Sequence, residues 1–160
     1  MTRARLEAKI GFDKIRETIS NRCQTEYATR RVAEEEFSSD EDIISERLAI
    51  TDEMRLVVMF EDSFPTTGYI DALPFLEPLE KSGSCIDVSS LGKLSTLLEI
   101  SRKLGYFFSS IKDGVYPLLK KRVNKMASFP EIRRRIEAIL DKYGEIKDSA
   151  SPELLHIRTE

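Results

Sequence analysis

Apolar residues recur at three- and four-residue spacing along most of this chain, and this helical periodicity constrains the fold more than any other feature. Two segments, Asp40 to Phe60 and Asp87 to Ile111, predict helices that would span a small domain at ~1.5 Å per residue. No segment alternates polar and apolar residues long enough to predict a strand, the best exception being the short Gly68–Asp71. The sequence therefore predicts an all-α fold of six or seven helices, two of them long and antiparallel.

Short oxygen-bearing side chains indicate where several helices begin, because they accept hydrogen bonds from the unpaired amides of a first turn. The predicted capping residues are Thr25, Asp40, Asp87 and Ser128. Gly11 is a weak point within a first helix predicted over residues 3–23. Gly144 is placed to end the helix that follows Pro130 in a left-handed conformation.

The last ten residues begin a further helix. Ser151 and Pro152 form a start signal, with proline at the first helical position, and Leu154 begins an apolar stripe. We therefore expect residues 1–150 to form a helical core domain and residues 151–160 to be the start of a truncated helix that leads into a larger protein. A frayed natural C-terminus is the alternative.

A net charge of −3 conceals strongly charged blocks. Residues 34–87 carry fifteen acidic and three basic side chains, a balance that repels nucleic acids and anionic membranes. Residues 1–33 and 112–142 are basic and could contact either partner. Solvated helix faces are the simpler explanation, because helical proteins routinely carry such charges. No apolar run approaches the ~18 residues of a membrane span, so no membrane partner is expected.

The sequence offers no recognisable set of catalytic residues. His156 is the one histidine, and nothing beside it on a short terminal helix would fix its tautomer. Cys23 and Cys85 match no metal or redox spacing and are interpreted as reduced thiols in the cytoplasm. The phosphate-binding pattern G-x-x-x-x-G-K-[ST] is absent from the sequence.

Metal binding is also not predicted. The acidic runs Glu34–Glu36 and Asp40–Asp42 could in principle hold a hard cation, but adjacent residues on a helix point in different directions. A solvated acidic surface is the better interpretation. We therefore predict no catalytic, cofactor-binding or metal-binding residue in the chain.

Seven cations on two consecutive predicted helices are the one feature of the residues that predicts a binding activity. They are Lys120, Lys121, Arg122, Lys125, Arg133, Arg134 and Arg135. Lys121 and Lys125 are four residues apart and would share a helix face. Phe129 and Tyr116 are interpreted as core or helix-end packing residues rather than as platforms for base stacking. The pattern therefore predicts weak, salt-sensitive contact with phosphates rather than sequence-specific recognition.

The run from Gly144 to Arg158, GEIKDSASPELLHIR, resembles a signature of MutS-type proteins. The resemblance is to the second bacterial branch, the MutS-like endonucleases that lack the mismatch-recognition domain. In that branch the stretch reads approximately G-x-I-x-D-S-A-S-x-x-L-x-x-I-R and leads into a long lever helix. Phe12–Ile15 resembles the way those proteins begin. Pro65–Asp71 matches a Pro/Gly-containing connection, although Thr66-Thr67 departs from its glycine-rich form.

This resemblance implies an N-terminal part of a core and lever region, whose packed helices would transmit ATPase movement to a nucleic-acid clamp. The parent protein would add a coiled-coil clamp, a dimerising ATPase that uses ATP and Mg, and usually a nuclease-like domain, all beyond residue 160. It would bind mismatched or branched DNA, suppress recombination, or act on stalled ribosomes. No functional residue of the family falls on this chain. The residues alone leave open a self-standing helical interaction module with an acidic binding face.

Overall fold

The computed structural model describes residues 2–159 and confirms the all-α prediction. Met1 and Glu160, the outer limits of the two predicted domains, lie outside the described residues. Within that range there are nine α-helices and two 3₁₀ turns, rather than six or seven helices. The α-helices are α1 (Arg3–Ile10), α2 (Phe12–Ser20), α3 (Glu26–Glu34), α4 (Glu41–Phe60), α5 (Leu73–Leu76), α6 (Val88–Ser110), α7 (Pro117–Val123), α8 (Pro130–Ile139) and α9 (Pro152–Thr159). The 3₁₀ turns are Glu77–Glu80 and Asp148–Ala150.

Most of the predicted helix starts are confirmed. The side chains of Thr25, Asp40 and Asp87 each accept a hydrogen bond from the amide three residues ahead, at 3.1, 3.1 and 2.9 Å. Ser151 Oγ likewise accepts from the Leu154 amide at 3.1 Å, at the start of α9. These short polar side chains therefore fix the first turns of α3, α4, α6 and α9.

Three predicted boundaries are wrong. Gly11, with φ 73°, divides the first predicted helix into α1 and α2, because a left-handed residue interrupts the helical hydrogen bonds. Ser128 is not a cap; the N-cap of α8 is Phe129, whose side chain makes no capping bond. Gly144 is left-handed but does not end α8, which stops earlier at Ile139.

A tight turn explains why α8 ends early. Asp141 Oδ1 accepts hydrogen bonds from the Tyr143 and Glu145 amides at 2.8 and 2.9 Å. The chain then reverses, so that Leu140 and Ile146 form an antiparallel bridge, the one such bridge in residues 2–159. No strand forms at Gly68–Asp71, the segment that came closest to a strand pattern.

The core lies where the C-terminal ends of the two long helices, α4 and α6, meet. Its buried residues are Val57, Phe107, Phe108 and Tyr116. The Phe107 and Phe108 rings are 4.9 Å apart and edge-on, a favourable aromatic geometry. The short helix α7 packs against both α4 and α6 and closes this cluster. Tyr116 precedes α7 at φ 53°, a strained conformation that its buried ring stabilises.

A charge cluster joins the first three helices. Glu7 is buried and accepts hydrogen bonds from Arg16 Nη2 and Nε at 2.6 and 3.1 Å. Arg16 also donates to the carbonyl of Val32, and Arg3 donates to the carbonyl of Ala33 at 2.7 Å. Two guanidinium groups thus satisfy the C-terminal carbonyls of α3 and complement the negative end of its dipole.

Carboxylates from distant segments cap two helix N-termini. Glu53, on α4, accepts hydrogen bonds from the amides of Leu118 and Leu119 at 3.1 and 2.9 Å, in the first turn of α7. Asp71 accepts from the Tyr27 amide of α3 at 3.0 Å. Both contacts place a negative charge at the positive end of a helix dipole.

The connection Pro65–Asp71 passes close to α6. A Cβ atom at Gly68 would lie 3.0 Å from Cδ1 of Ile100, too close for any side chain without a shift. Gln24 Nε2 donates to the carbonyl of Thr66 at 2.7 Å. The loop therefore lies between Gln24 and the Ile100 side chain of α6, and the close approach at Gly68, with φ 90°, favours a glycine there.

The folded chain is unusually open. It exposes 12232 Å² of surface, whereas a compact monomer of this mass exposes about 8,100 Å². Side chains from Glu41 to Leu48 are all exposed, so the first half of α4 projects from the rest of the structure. Among residues 2–159, no helix has the length and hydropathy needed to cross a membrane.

The Glu53 cap gives a first prediction. Replacing Glu53 by Ala is expected to lower the free energy of unfolding by about 1–2 kcal/mol, because two part-buried amides lose their acceptor. Urea denaturation followed by circular dichroism measures this change. Glu46→Ala is the control, since Glu46 is an exposed acid on the same helix, 3.9 Å from Arg122. Equal losses in both variants would contradict a capping role.

The Glu7 cluster gives a second prediction. The hydrogen bond from Arg16 holds the pKa of Glu7 below the usual glutamate value of 4.5. Its stabilising contribution is therefore complete above that value and is lost as pH falls through the lower folded-state pKa. Below pH 4.5, the free energy of unfolding should fall more steeply for the native chain than for Glu7→Gln. Urea denaturation at several pH values measures both slopes. The control is Glu17→Gln, on the exposed side of α2, which should show the same dependence of unfolding free energy on pH as the native chain. If the curve for Glu7→Gln runs parallel to that of the native chain, the prediction is contradicted.

Candidate nucleic-acid interface

Of the seven predicted contact residues, Lys120 is drawn into the fold. Its ammonium donates to the carbonyls of Ile111 and Lys112, the latter at 3.2 Å, and lies 3.3 Å from the Asp113 carboxylate. Its side chain is 17% exposed. A cation at this position stabilises the C-terminal end of α6. Lys120 therefore acts as a helix cap, and a phosphate would have to compete with that role.

The remaining cations around α7 are exposed, but not on one helix face. The spacing predicted that Lys121 and Lys125 share a helix face, and this prediction is wrong. The helix α7 ends at Val123, so Lys125 lies in the turn that follows. Arg122 Nη2 lies 3.9 Å from Glu46 of α4. Lys121 and Lys125 make no ion pair within the part of the chain that the structure describes.

The three arginines of α8 are paired with acids on the same helix. Arg133 contacts Glu137 at 2.8 Å, while Arg134 and Arg135 contact Glu131 at 2.8 and 3.1 Å. Hydrogen bonds from Arg134 and Arg135 hold the pKa of Glu131 below its usual value. Such exposed pairs contribute little to stability, because solvent screens the charges. A phosphate can therefore replace the carboxylate at little cost.

Two further cations near α8 were not found from the sequence. Arg102 and Lys103 of α6 lie 2.7 and 3.9 Å from Glu99. The hydrogen bond from Arg102, with the charges of Lys103 and Arg133, holds the pKa of Glu99 below its usual value. The sequence does show that Arg102 and Lys103 follow Glu99 by three and four residues, and a helical period therefore places both beside Glu99. It does not show that this part of α6 lies near α8.

Arg102 and Arg133 line one groove. It has a volume of about 260 Å³ and lies between α6 and the connection from α7 to α8. Phe129 lines the same groove and is 49% exposed, so it is not a core residue, whereas Tyr116 is buried as expected. The groove thus combines two guanidinium groups with an exposed ring, an arrangement that suits a nucleic-acid backbone with an unpaired base.

The acidic and sulfur-containing residues were considered above as metal ligands. Residues 2–159 contain no group of three or more His, Cys, Asp or Glu side chains that could hold an ion. Glu34, Glu35 and Glu36 instead face arginines: Arg31, Arg47 and Arg3. Cys23 is partly buried, Cys85 is exposed, and both are free thiols. His156 is exposed on α9.

The run from Gly144 to Arg158 forms one structural unit. Gly144 lies in the turn after α8, at φ 83°. Arg158 of α9 pairs with the Asp148 carboxylate and donates to the carbonyl of Ile146 at 3.3 Å. Together with the Ser151 cap, these contacts fix the direction in which α9 leaves the turn.

No protein-family profile matches the chain. Individual relatives do match. It is 29% identical to "Endonuclease MutS2" of Thermomicrobium roseum and 26% identical to "Endonuclease MutS2" of Leuconostoc citreum, in each case over 92% of this chain and 19% of the relative. The resemblance to MutS2-type proteins is confirmed. "Putative endonuclease MutS2" of Bacillus subtilis is 26% identical over 93% of the chain and 19% of its own length.

The chain spans about a fifth of the length of the curated MutS2 relatives it matches. Their names state an endonuclease. The similarity covers nearly the whole chain, and it is consistent with a helical part of a larger MutS2-type protein.

The predicted phosphate contacts can be tested directly. Lys121→Glu combined with Arg134→Glu is expected to weaken binding of a short duplex DNA at least about tenfold and to reduce its salt dependence, because two phosphate contacts become repulsive. Fluorescence anisotropy over a range of salt concentrations measures both effects. Lys9→Glu with Lys81→Glu makes the same change in net charge at exposed positions elsewhere. Equal weakening by both double variants would indicate an effect of net charge alone.

Proposed function

We propose that this chain is a non-catalytic helical part, from the core and lever region, of a longer cytoplasmic, bacterial MutS2-type ATPase that acts on DNA or on stalled ribosomes. One observation carries the proposal: the match covers 92% of the chain but 19% of the relatives. ATP and Mg binding, homodimerisation and any nuclease activity would then belong to the rest of the polypeptide. On this view residues 1–150 are the core, and α9 is the start of a lever helix.

A mechanical role is supported by the way the helices are connected. The helix α7 packs against α4 and α6, and polar contacts fix both of these junctions. Glu53 joins α4 to α7, and Lys120 joins α7 to the end of α6. Rigid helices that meet through few contacts can pivot as units, which transmission of movement between distant sites requires.

The coding region around this chain provides the first test. The proposal expects several hundred further codons, including the pattern G-x-x-x-x-G-K-[ST], in the same reading frame. A stop codon directly after Glu160 would overturn it.

Transmission through α9 provides the second test, on the longer protein. Two glycines inserted after Ile157 should abolish the effect of ATP on DNA affinity but leave ATP hydrolysis itself intact, because they break the helix between the two regions. The same insertion after Gly83, in an exposed turn, is the control and should change neither property. An ATP effect that survives the α9 insertion would argue against a lever.

The alternative is a self-standing interaction module with an acidic binding face. The exposed first half of α4 favours it, since this segment carries both acidic and apolar side chains. A stop codon after Glu160 would make this the preferred function, and DNA binding by the basic residues would then have no expected role.

A further inference from the structure

One side of α4 has no partner among the described residues 2–159. We define the α4 outer face as Ile44, Leu48, Thr51, Arg55 and Met59, whose spacing of three and four residues places them on one side of the helix. Leu48 is 65% exposed and Met59 59% exposed. The opposite side carries Glu53, which caps α7, and the fully buried Val57. The helix therefore uses one side for the core and presents the other to solvent.

Exposure on this scale is unusual for a helix of 20 residues. Helices in proteins owe most of their stability to packing of an apolar face, and α4 packs only along one side. The whole chain exposes about 4,000 Å² more than a compact monomer of its mass. The α4 outer face contributes to that excess, because Leu48 and Met59 are each more than half exposed. Apolar side chains grouped in this way on one exposed helix face have the character of an interface surface.

The charge around this face indicates what would cover it. Residues 40–62 carry eight acidic and two basic side chains, and two of the acids, Glu46 and Glu53, lie toward α7 on the opposite side. Both basic residues are already paired: Arg47 with Glu35, and Arg55 with Asp52 at 2.7 Å. A second copy of the chain would bring the same negative charge against this surface, and like charges at an interface are unfavourable. A basic occupant is favoured instead.

We propose that the α4 outer face docks an amphipathic helix with basic residues beside its apolar stripe, supplied by a further segment of the same longer polypeptide. The apolar stripe would cover Ile44, Leu48 and Met59, and the basic residues would face Glu41 and Asp52, which flank this face along one edge of α4. The source of this helix rests on the proposed function, because relatives about five times longer leave most of the polypeptide to provide it.

Peptide binding tests the surface itself. The probe is an 18-residue helical peptide of Leu and Lys, with a Leu and Glu peptide of the same pattern as control. The Leu/Lys peptide should bind the 160-residue chain, and the Leu/Glu peptide should not. Leu48→Glu should weaken binding at least about tenfold. This variant adds negative charge, so attraction by charge alone would instead become stronger, and that outcome would overturn the proposal.

Two controls make the result specific. Tyr106→Glu adds the same charge at an equally exposed apolar residue of α6 and should leave affinity unchanged. Sedimentation velocity of the chain alone should show a monomer. A dimer that Leu48→Glu dissociates would overturn the proposal in favour of a second copy as occupant.

Crosslinking in the longer protein tests the source. With Leu48 replaced by the photoreactive p-benzoylphenylalanine, irradiation should join this position to another segment of the same polypeptide, identified by mass spectrometry. A crosslink to a different protein would overturn the assigned source. A stop codon after Glu160 would instead refute the proposed function, and with it the assignment of the docked helix to the same polypeptide. The peptide experiment would still decide whether the surface binds a basic helix.

Discussion

Charged side chains that reach from one element to the end of another hold this helical chain together, and α7 depends on them most. A seven-residue helix is not stable alone, because the cost of forming its first turn is not recovered over so few residues. Here Glu53 accepts hydrogen bonds from two amides at the start of α7. Lys120 of α7 donates hydrogen bonds to the carbonyls at the end of α6. The same short helix therefore joins both long helices, and the core cluster forms beneath it.

This arrangement explains how a fold with few buried residues is held in place. Around the N-terminal helices, Arg3 and Arg16 satisfy the end of α3 and share the buried Glu7. The core cluster around Val57, by contrast, holds α4, α6 and α7 together. The Glu53 cap is worth about 1–2 kcal/mol, a substantial share of the 5–15 kcal/mol that typically separates folded from unfolded states.

Local signals in the sequence predicted most of the helix starts, and other features depend on partners far along the chain. Asp40 and Asp87 accept hydrogen bonds from amides three residues ahead, so a short stretch of sequence contains both partners. Glu53 accepts a hydrogen bond from an amide 65 residues away, and no local pattern in the sequence relates these two partners. The early end of α8 has a local origin instead: the Asp141 turn and the pairing of Leu140 with Ile146, six residues on, replace the helical bonds that would otherwise lead to Gly144. In the basic cluster, composition revealed the charges but not their use: Lys120 caps α6 and the α8 arginines face their own acids.

The residues that carry the family resemblance have structural roles in this chain. Asp148 and Arg158 pair across the run, Ser151 caps α9, and Gly144 sits in the turn before it. A run built from such contacts fixes the direction of a helix, which agrees with a helical part of a larger MutS2-type protein. The direction of α9 is also set by the turn that ends α8, and α8 packs against α6. Movement of α9 would therefore reach the groove of Arg102 and Arg133, where the exposed cations of this chain meet an aromatic ring.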